Sequence, residues 1–170
     1  LVNLPRFCIL FMNKEFVVTQ DGSHTIYLPE MDEHYHSTYG AIQESLHIYV
    51  NAGLKKQSAP EIEVLEIGFG TGLNALLTYI FALQSGQKVT YRTIEKYPLT
   101  EAEAAALNYA GGDYNEYEPV FRQLHQAPWN VDVEFGPGFI LHKILGDVTT
   151  FDFQNKADLV YYDAFAPSKQ

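Results

Sequence analysis

Short apolar runs alternate with segments of helical periodicity from residue 61 onward. Residues 62–67 and 89–94 are predicted strands, because each is a short apolar run bounded by turn-forming residues. A helix is predicted between them, up to about residue 84, and Ser85 and Gly86 close it. Its apolar face consists of Leu73, Leu76, Leu77, Ile80 and Leu83. This alternation is typical of a parallel α/β sheet.

The same pattern continues to the end of the chain. Thr100 and Glu103 predict a capping box for a helix that ends at Gly111 and Gly112, and a further helix is predicted over residues 119–126. Residues 131–135 and 139–145 predict a strand pair, and residues 159–162 the next strand. We count four or five strands in this part. A complete fold of this kind has more strands, so we expect the chain to lack its C-terminal third.

The first 60 residues follow a different pattern. Residues 16–19 and 25–27 are predicted strands of a hairpin, with Asp21 and Gly22 in the turn. A helix is predicted next, with Ile42, Leu46 and Tyr49 on one face, followed by a linker over residues 55–60. We therefore divide the chain into an N-terminal hairpin and helix cap at 12–60 and an α/β domain at 61–170. Residues 1–11 precede a plausible start at residue 12 and are expected to be an extension outside the fold.

Composition and charge limit the classes of function. The chain has 170 residues and a net charge of −10, which argues against broad, nonspecific nucleic-acid binding. A nucleic-acid enzyme stays possible, since a local basic patch or missing residues could supply the contacts. Cys8 is the single cysteine, which excludes an intrachain disulfide and a thiolate metal cluster and makes a reducing cytoplasm the default location. No apolar run reaches the length needed to cross a bilayer, so we expect no membrane partner.

A glycine-rich loop follows the first strand of the α/β part. Gly68, Gly70 and Gly72 alternate with other residues between the strand and its helix. Glycine accepts positive φ angles and lets the backbone approach a ligand closely, and the helix start offers free N–H groups. Such a loop alone also fits nicotinamide and flavin folds. With Glu66 at the end of the strand, the string V-L-E-I-G-F-G-T-G resembles the first motif of class I methyltransferases.

Acidic residues occur at the predicted carboxyl ends of several strands. In open α/β sheets, ligands bind beyond these ends. Glu95 follows the second strand, where a carboxylate can accept hydrogen bonds from ribose hydroxyls, and Asp147 could accept from an adenine amino group. With Glu66 and Asp163, these residues make four acids in equivalent positions. Any one of these acids, considered alone, is explained equally well as an ordinary solvent-exposed residue at the end of a strand.

The segment before the first cap helix is polar and aromatic. His34 and His36 could bind a metal ion if they lay on a strand, but a partly buried pair with ordinary hydrogen bonds fits better, and we predict no metal site. Glu44 and His47 lie within one helical turn and are expected to face the same cleft. The aromatic candidates for stacking on a base are Tyr35, Tyr39 and Phe165.

Five segments, in the same order, resemble those of a known family. They are D-G-S-H-T-I-Y, D-E-H-Y-H-S-T-Y-G-A-I-Q-E-S, E-I-G-F-G-T-G-L-N, I-E-K-Y-P-L-T and Y-Y-D-A-F-A-P-S-K-Q. From about residue 16 to the end, the chain resembles the methyltransferase domain of the MnmC-like tRNA-modifying proteins. The resemblance implies a Rossmann-like class I methyltransferase sheet. It also implies methyl transfer from S-adenosylmethionine to the amine of 5-aminomethyl-2-thiouridine at the wobble position of tRNA.

The resemblance also implies roles for particular residues. The positions expected to contact S-adenosylmethionine are Glu66, Gly68, Phe69, Gly70, Thr71, Gly72, Asn74, Glu95, Lys96, Asp147 and Asp163. Asp163 is also the expected catalytic residue, beside the transferring methyl group and the incoming amine. Those expected on the substrate side are Tyr39, Glu44, Phe165, Pro167 and Lys169.

Several alternatives stay open at the level of sequence. Many members of the family are fused to a flavin-dependent oxidase domain, and none is visible in this chain. A separate oxidase would then serve it, or the acceptor would be a small molecule or a protein. A nicotinamide-dependent oxidoreductase is a further alternative, although Glu66 and the D-A-F-A-P segment have no obvious use in one. A non-enzymatic binding domain with the same fold is the last.

Overall fold

The computed structural model describes residues 13–154 and 156–164, which contain a three-stranded sheet and a five-stranded sheet. The expectations for residues 1–11 and for Phe165, Pro167 and Lys169 fall outside these ranges. None of the helices in the described ranges is long and apolar enough to span a membrane.

The smaller sheet is an antiparallel hairpin with one added strand. β1 (Glu15–Val18) pairs with β2 (His24–Leu28), and β3 (Glu33–His34) pairs with the other edge of β2. Gly22 in the turn has a φ of +83°, which glycine adopts without steric cost. The predicted hairpin with its Asp21–Gly22 turn is therefore confirmed.

The helix after the hairpin changes its geometry halfway. α1 (Ala41–Ser45) continues directly into a π-helical turn, Leu46–Asn51, and a 3₁₀ turn follows at Leu54–Lys56. The helix predicted from Ile42 onward is confirmed in position, but the apolar spacing gave no sign of the π turn. The 3₁₀ turn occupies the start of the predicted linker. Residues 13–56 are called the N-terminal cap below.

The larger sheet carries the predicted α/β alternation. Its strands are β4 (Glu61–Ile67), β5 (Lys88–Glu95), β6 (Asp132–Glu134), β7 (Phe139–Leu145) and β8 (Leu159–Tyr162). Their spatial order is β6-β7-β5-β4-β8, and all except the antiparallel edge strand β6 run parallel. The chain moves from β4 towards one edge and later returns to the other side of β4. Such a reversal of strand order opens a crevice at the carboxyl ends of the strands.

The other helices are α2 (Leu73–Ser85), α3 (Glu101–Ala105) and α4 (Glu118–Gln126), and a 3₁₀ turn, Gly112–Tyr117, precedes α4. The predicted end of α2 and both predicted bounds of α4 are confirmed within one residue. The capping box of Thr100 and Glu103 is also present.

The predicted end of α3 is wrong, since the helix stops at Ala105 rather than at Gly111. The reason is a contact with the hairpin. Asn108 Oδ1 accepts a hydrogen bond from the backbone N–H of His24, and its Nδ2 donates to the carbonyl of Gly22. Leaving the helix lets Asn108 make these two bonds across more than 80 positions of sequence.

One hydrophobic core joins the cap to the larger sheet. It contains Ile26, Leu28, Val50 and Leu54 of the cap together with Leu73, Leu76, Leu77 and Ile80 of α2. Leu83, predicted on the same face, is half exposed near the end of the helix. A smaller cluster of Ile67, Ile94 and Ile144 lies on the opposite face of the sheet. The cap is thus packed against the face of the sheet that α2 also covers.

Candidate active site at the carboxyl ends of the parallel strands

The glycine loop lies between β4 and α2, directly at the crevice. Gly68, Gly70 and Gly72 have φ angles of +91°, +49° and +73°, a region that favours glycine. The backbone N–H of Gly68 donates to the carbonyl of Ile94 on β5. A Cβ atom at Gly70 would lie 3.2 Å from the ring of Tyr35, so the cap closes over the loop at this point. The loop therefore offers close backbone approach beneath an aromatic cover.

Two of the predicted acids, Glu66 and Asp163, accept hydrogen bonds from the same side-chain amide. Nδ2 of Asn74 donates to Oε1 of Glu66 at 3.1 Å and to Oδ2 of Asp163 at 2.7 Å. Thr93 on β5 donates to the other carboxylate oxygen of Glu66 at 2.8 Å. Glu66 is fully buried, and Asn74 is 3% exposed. Oδ1 of Asn74 has no hydrogen-bond partner within the described part of the chain, so a buried acceptor is available for a hydrogen-bond donor.

Burial changes the charge of this pair. Burial raises the pKa of Glu66 to about 8, against the opposing hydrogen bonds from Thr93 and Asn74. Burial also raises the pKa of Asp163 to about 6, although hydrogen bonds from Tyr49 and Asn74 oppose the rise. Near neutral pH, the pair therefore carries a charge mainly on Asp163. A negative group beside a buried acceptor favours a cationic or amine-bearing ligand.

Asp163 also contacts the N-terminal cap. The hydroxyl of Tyr49 donates to Oδ1 of Asp163 at 2.9 Å and lies 3.2 Å from the carbonyl of Tyr162. Tyr49 was predicted only as part of the apolar helix face. It lies in the π-helical turn, whose geometry the sequence spacing did not indicate.

His36 is a second cap residue at the site. Its Nε2 lies 2.7 Å from the hydroxyl of Thr71 in the glycine loop, and its Nδ1 lies 3.8 Å from Oδ2 of Asp163. Burial lowers the pKa of His36 to about 4, so the imidazole is neutral near pH 7. His34 instead packs against Tyr27. The described ranges contain no group of three or more His, Cys, Asp or Glu side chains arranged to hold a metal ion.

Glu95 and Asp147 lie at the ends of the neighbouring strands β5 and β7. Glu95 accepts hydrogen bonds from the backbone N–H groups of Gly70, at 2.9 Å, and Tyr97, at 2.7 Å. Lys96 donates to Oδ2 of Asp147 at 2.7 Å, and this bond, with those from Thr149, lowers the pKa of Asp147 well below its usual range. Both oxygens of Glu95 and Oδ2 of Asp147 each accept one of these bonds and keep a second lone pair, so both acids can accept further hydrogen bonds from a ligand.

Phe69 has a different environment from the one expected. Its ring is buried and packs edge-to-face against His125 and Trp129 behind the glycine loop. Nε2 of His125 lies 3.1 Å from the carbonyl of Thr71, and Lys143 donates to the carbonyl of His125 at 2.6 Å. The Phe69 ring therefore supports the loop from inside, and the backbone of Phe69 is the part that belongs to the loop.

Two of the predicted substrate-side residues can be located. Tyr39 is 74% exposed, so its ring is accessible. Glu44 accepts a hydrogen bond from the backbone N–H of Ser37 at 2.8 Å, and its charge contributes to the raised pKa of Asp163. Glu44 and Asp163 thus place negative charge beside the glycine loop, next to Glu66, which keeps its proton near neutral pH.

Known proteins with similar sequences and structures share one name. No protein-family model matches the chain. It is 31% identical over 169 residues to the tRNA 5-methylaminomethyl-2-thiouridine biosynthesis bifunctional protein MnmC of Cupriavidus metallidurans, with 91% of this chain and 25% of that protein covered. The MnmC protein of Magnetococcus marinus is 33% identical over 167 residues, with 87% and 24% covered.

A solved structure gives the same result. The crystal structure of MnmC2 from Aquifex aeolicus superposes with a TM-score of 0.70 at 30% identity, covering 93% of this chain and 52% of that one. The chain therefore spans about a quarter of the length of the curated relatives that it matches, and about half of the solved chain.

Proposed function

This chain is an MnmC-like domain, and we propose that it transfers a methyl group from S-adenosylmethionine to the amine of 5-aminomethyl-2-thiouridine at the wobble position of tRNA. The observation that carries the proposal is the bridge from Asn74 to Glu66 and Asp163 beside the glycine loop. It presents the partly buried charge of Asp163 and an amide oxygen of Asn74 that has no partner among the described residues, where a cationic cofactor and an amine would both bind.

The residues at the strand ends fit this cofactor. Gly68, Gly70 and Gly72 would let the loop backbone approach its methionine and ribose parts. Glu95 would accept from the ribose hydroxyls, and Asp147, with Lys96 beside it, would lie at the adenine. The cofactor supplies a methyl group on a positively charged sulfur, so the protein has mainly to position the acceptor and exclude water.

Asp163 is proposed to orient the acceptor amine. An alkylamine is mostly protonated at neutral pH, and its proton must leave to water before the nitrogen can attack. A carboxylate with a pKa of about 6 is a weak base towards such an ammonium group. Its role is therefore to accept a hydrogen bond from the neutral amine and to hold the nitrogen lone pair in line.

The nucleotide side of the site is proposed from Tyr39 and Glu44 together with Phe165, Pro167 and Lys169. The exposed ring of Tyr39 could stack on a base, because every base offers a flat π face. Because the chain has a net charge of −10, we propose that its tRNA contacts come from a local basic patch. A separate flavin-dependent oxidase is the proposed partner that supplies the free amine.

Labelled S-adenosylmethionine tests the proposal directly. The chain is incubated with tRNA from cells that lack the final wobble-uridine methylation, and fully modified tRNA is the control. Label only in the hypomodified tRNA would support both donor and acceptor. If calorimetry shows that the chain binds the donor but no label appears in the tRNA, the proposal that tRNA is the acceptor is overturned. Absence of donor binding, or binding of a nicotinamide nucleotide instead, would overturn the methyltransferase itself.

A further inference from the structure

The π-helical turn Leu46–Asn51 places one polar group at the reacting end of the site. The hydroxyl of Tyr49 donates to Oδ1 of Asp163 across 114 positions of sequence. Its ring is held at 4.8 Å, centre to centre, against the ring of Tyr161 on β8. π-helical turns are rare in proteins and occur frequently at functional sites. The turn, the ring contact and the hydrogen bond therefore converge on one carboxylate.

The two oxygens of Asp163 are held from two different elements. Tyr49 of the cap occupies Oδ1 and Asn74 of α2 occupies Oδ2. Two donors on opposite oxygens prevent the carboxylate from rotating about its last bond, and a fixed carboxylate directs its remaining lone pairs along fixed lines.

We propose that Tyr49 is a positioning residue that, together with Asn74, fixes the Asp163 carboxylate for the acceptor amine. That Asp163 is positioned for an amine rests on the proposed function. The contact between Tyr49 and Asp163 does not depend on it. The N-terminal cap is then part of the catalytic machinery and more than a cover for the glycine loop.

Other ionisable groups also face Asp163 and must be kept constant in a test. They include His36 and Glu44 of the cap, Glu66 of β4, Tyr91 of β5 and Tyr109. Burial and the charge of Asp163 raise the pKa of Tyr49, so its hydroxyl keeps its proton through the neutral range. Loss of that hydroxyl removes a bond that favours the charged form of Asp163, and the titration midpoint of Asp163 should rise by about one pH unit.

Carbon-13 NMR of the Asp163 carboxyl, in the full chain without tRNA, measures this midpoint. We expect a midpoint near 6 in the unsubstituted chain and a higher one in Tyr49→Phe. Tyr161→Phe is the matched control, because it removes the hydroxyl of the adjacent ring, which contacts Thr78 rather than Asp163. An equal midpoint in Tyr49→Phe and the unsubstituted chain would overturn the inference.

A second measurement needs no folded variant at position 49. In the unsubstituted chain, the Cζ signal of Tyr49 should shift with pH at the same midpoint as the Asp163 carboxyl, and a flat Cζ signal would overturn the contact. The pH dependence of methyl transfer tests the functional role of Tyr49. Tyr49→Phe should move the acid limb of kcat/KM to higher pH, and Tyr161→Phe should not. Failure of the unsubstituted chain to methylate tRNA would count against the proposed function. It would leave the NMR evidence for the contact between Tyr49 and Asp163 unaffected.

Discussion

The Nε2 atom of His36 lies 2.7 Å from the hydroxyl of Thr71, and this contact joins the N-terminal cap to the glycine loop. His36→Ala would leave a buried hydroxyl without this partner. We expect the free energy of unfolding to fall by about 1–3 kcal/mol and the affinity for S-adenosylmethionine to weaken with it. Denaturant titration and calorimetry measure the two effects. His34→Ala is the control, because His34 contacts Tyr27 rather than the loop and should leave the affinity unchanged.

Glu66 makes stability depend on pH in a definite direction. Its pKa is about 8 in the folded chain against an ordinary value of 4.5, so the folded state retains a proton that the unfolded state releases. This contribution is complete below pH 4.5 and is lost as the pH rises through 8. Between pH 6.5 and 8, the free energy of unfolding should fall by about 2 kcal/mol.

Glu66→Gln should abolish this slope. His36, His125 and Asp163 titrate mainly below that pH range. Lys143, with a pKa of about 8, begins to lose its proton only at the upper end of the range, where it raises rather than lowers the free energy of unfolding. Denaturant melts of both proteins at several pH values provide the measurement. A slope that persists in the glutamine variant would show that another group is responsible.

Asp163→Ala should separate turnover from cofactor binding. The side chain is proposed to orient the acceptor, so kcat should fall by at least about 100-fold while the dissociation constant of S-adenosylmethionine changes much less. Asp163→Asn keeps the shape but loses the charge, and we expect it to be impaired as well. Turnover equal to that of the unsubstituted chain would remove Asp163 from the mechanism.

The two ends of α2 allow a matched comparison of glycines. Gly72 and Gly86 have φ angles of +73° and +75°, so alanine at either position should cost about 1–2 kcal/mol through backbone strain. A Cβ at Gly86 meets open space, whereas at Gly72 it would lie 2.8 Å from Nε2 of His125. Gly72→Ala should therefore destabilise the chain more and should also abolish cofactor binding, as thermal melts and calorimetry would show. Equal effects of the two substitutions would contradict the close contact.

The strands of the larger sheet could be predicted because a buried strand requires a short run of apolar residues, which is visible in the sequence. Strands β4, β5, β7 and β8 are short apolar runs, and the structure places their ends within one residue of the predicted ones. The end of α3 could not be predicted in this way. It depends on Asn108 meeting the hairpin, a contact between residues that are 84 and 86 positions apart.

The same distinction applies to the site. The acids at the ends of parallel strands were predictable, because such ends meet at one edge of a sheet. Tyr49 and His36 were not, since they come from the cap and reach Asp163 and Thr71 through tertiary packing. For Phe69 the predicted ligand contact stays a prediction, and what the sequence did not indicate is that its ring packs inward against His125 and Trp129.

The strand order has a consequence for how the protein is made. β4 pairs with β5 on one side, but its partner on the other side, β8, lies about 95 positions later, with Leu159 opposite Val64. A chain emerging from the ribosome therefore holds an apolar strand with an open edge until β8 arrives, and open edges invite pairing with other chains. Asp163 follows β8 directly. When β8 pairs with the open edge, it therefore also brings the Asp163 carboxylate into the site.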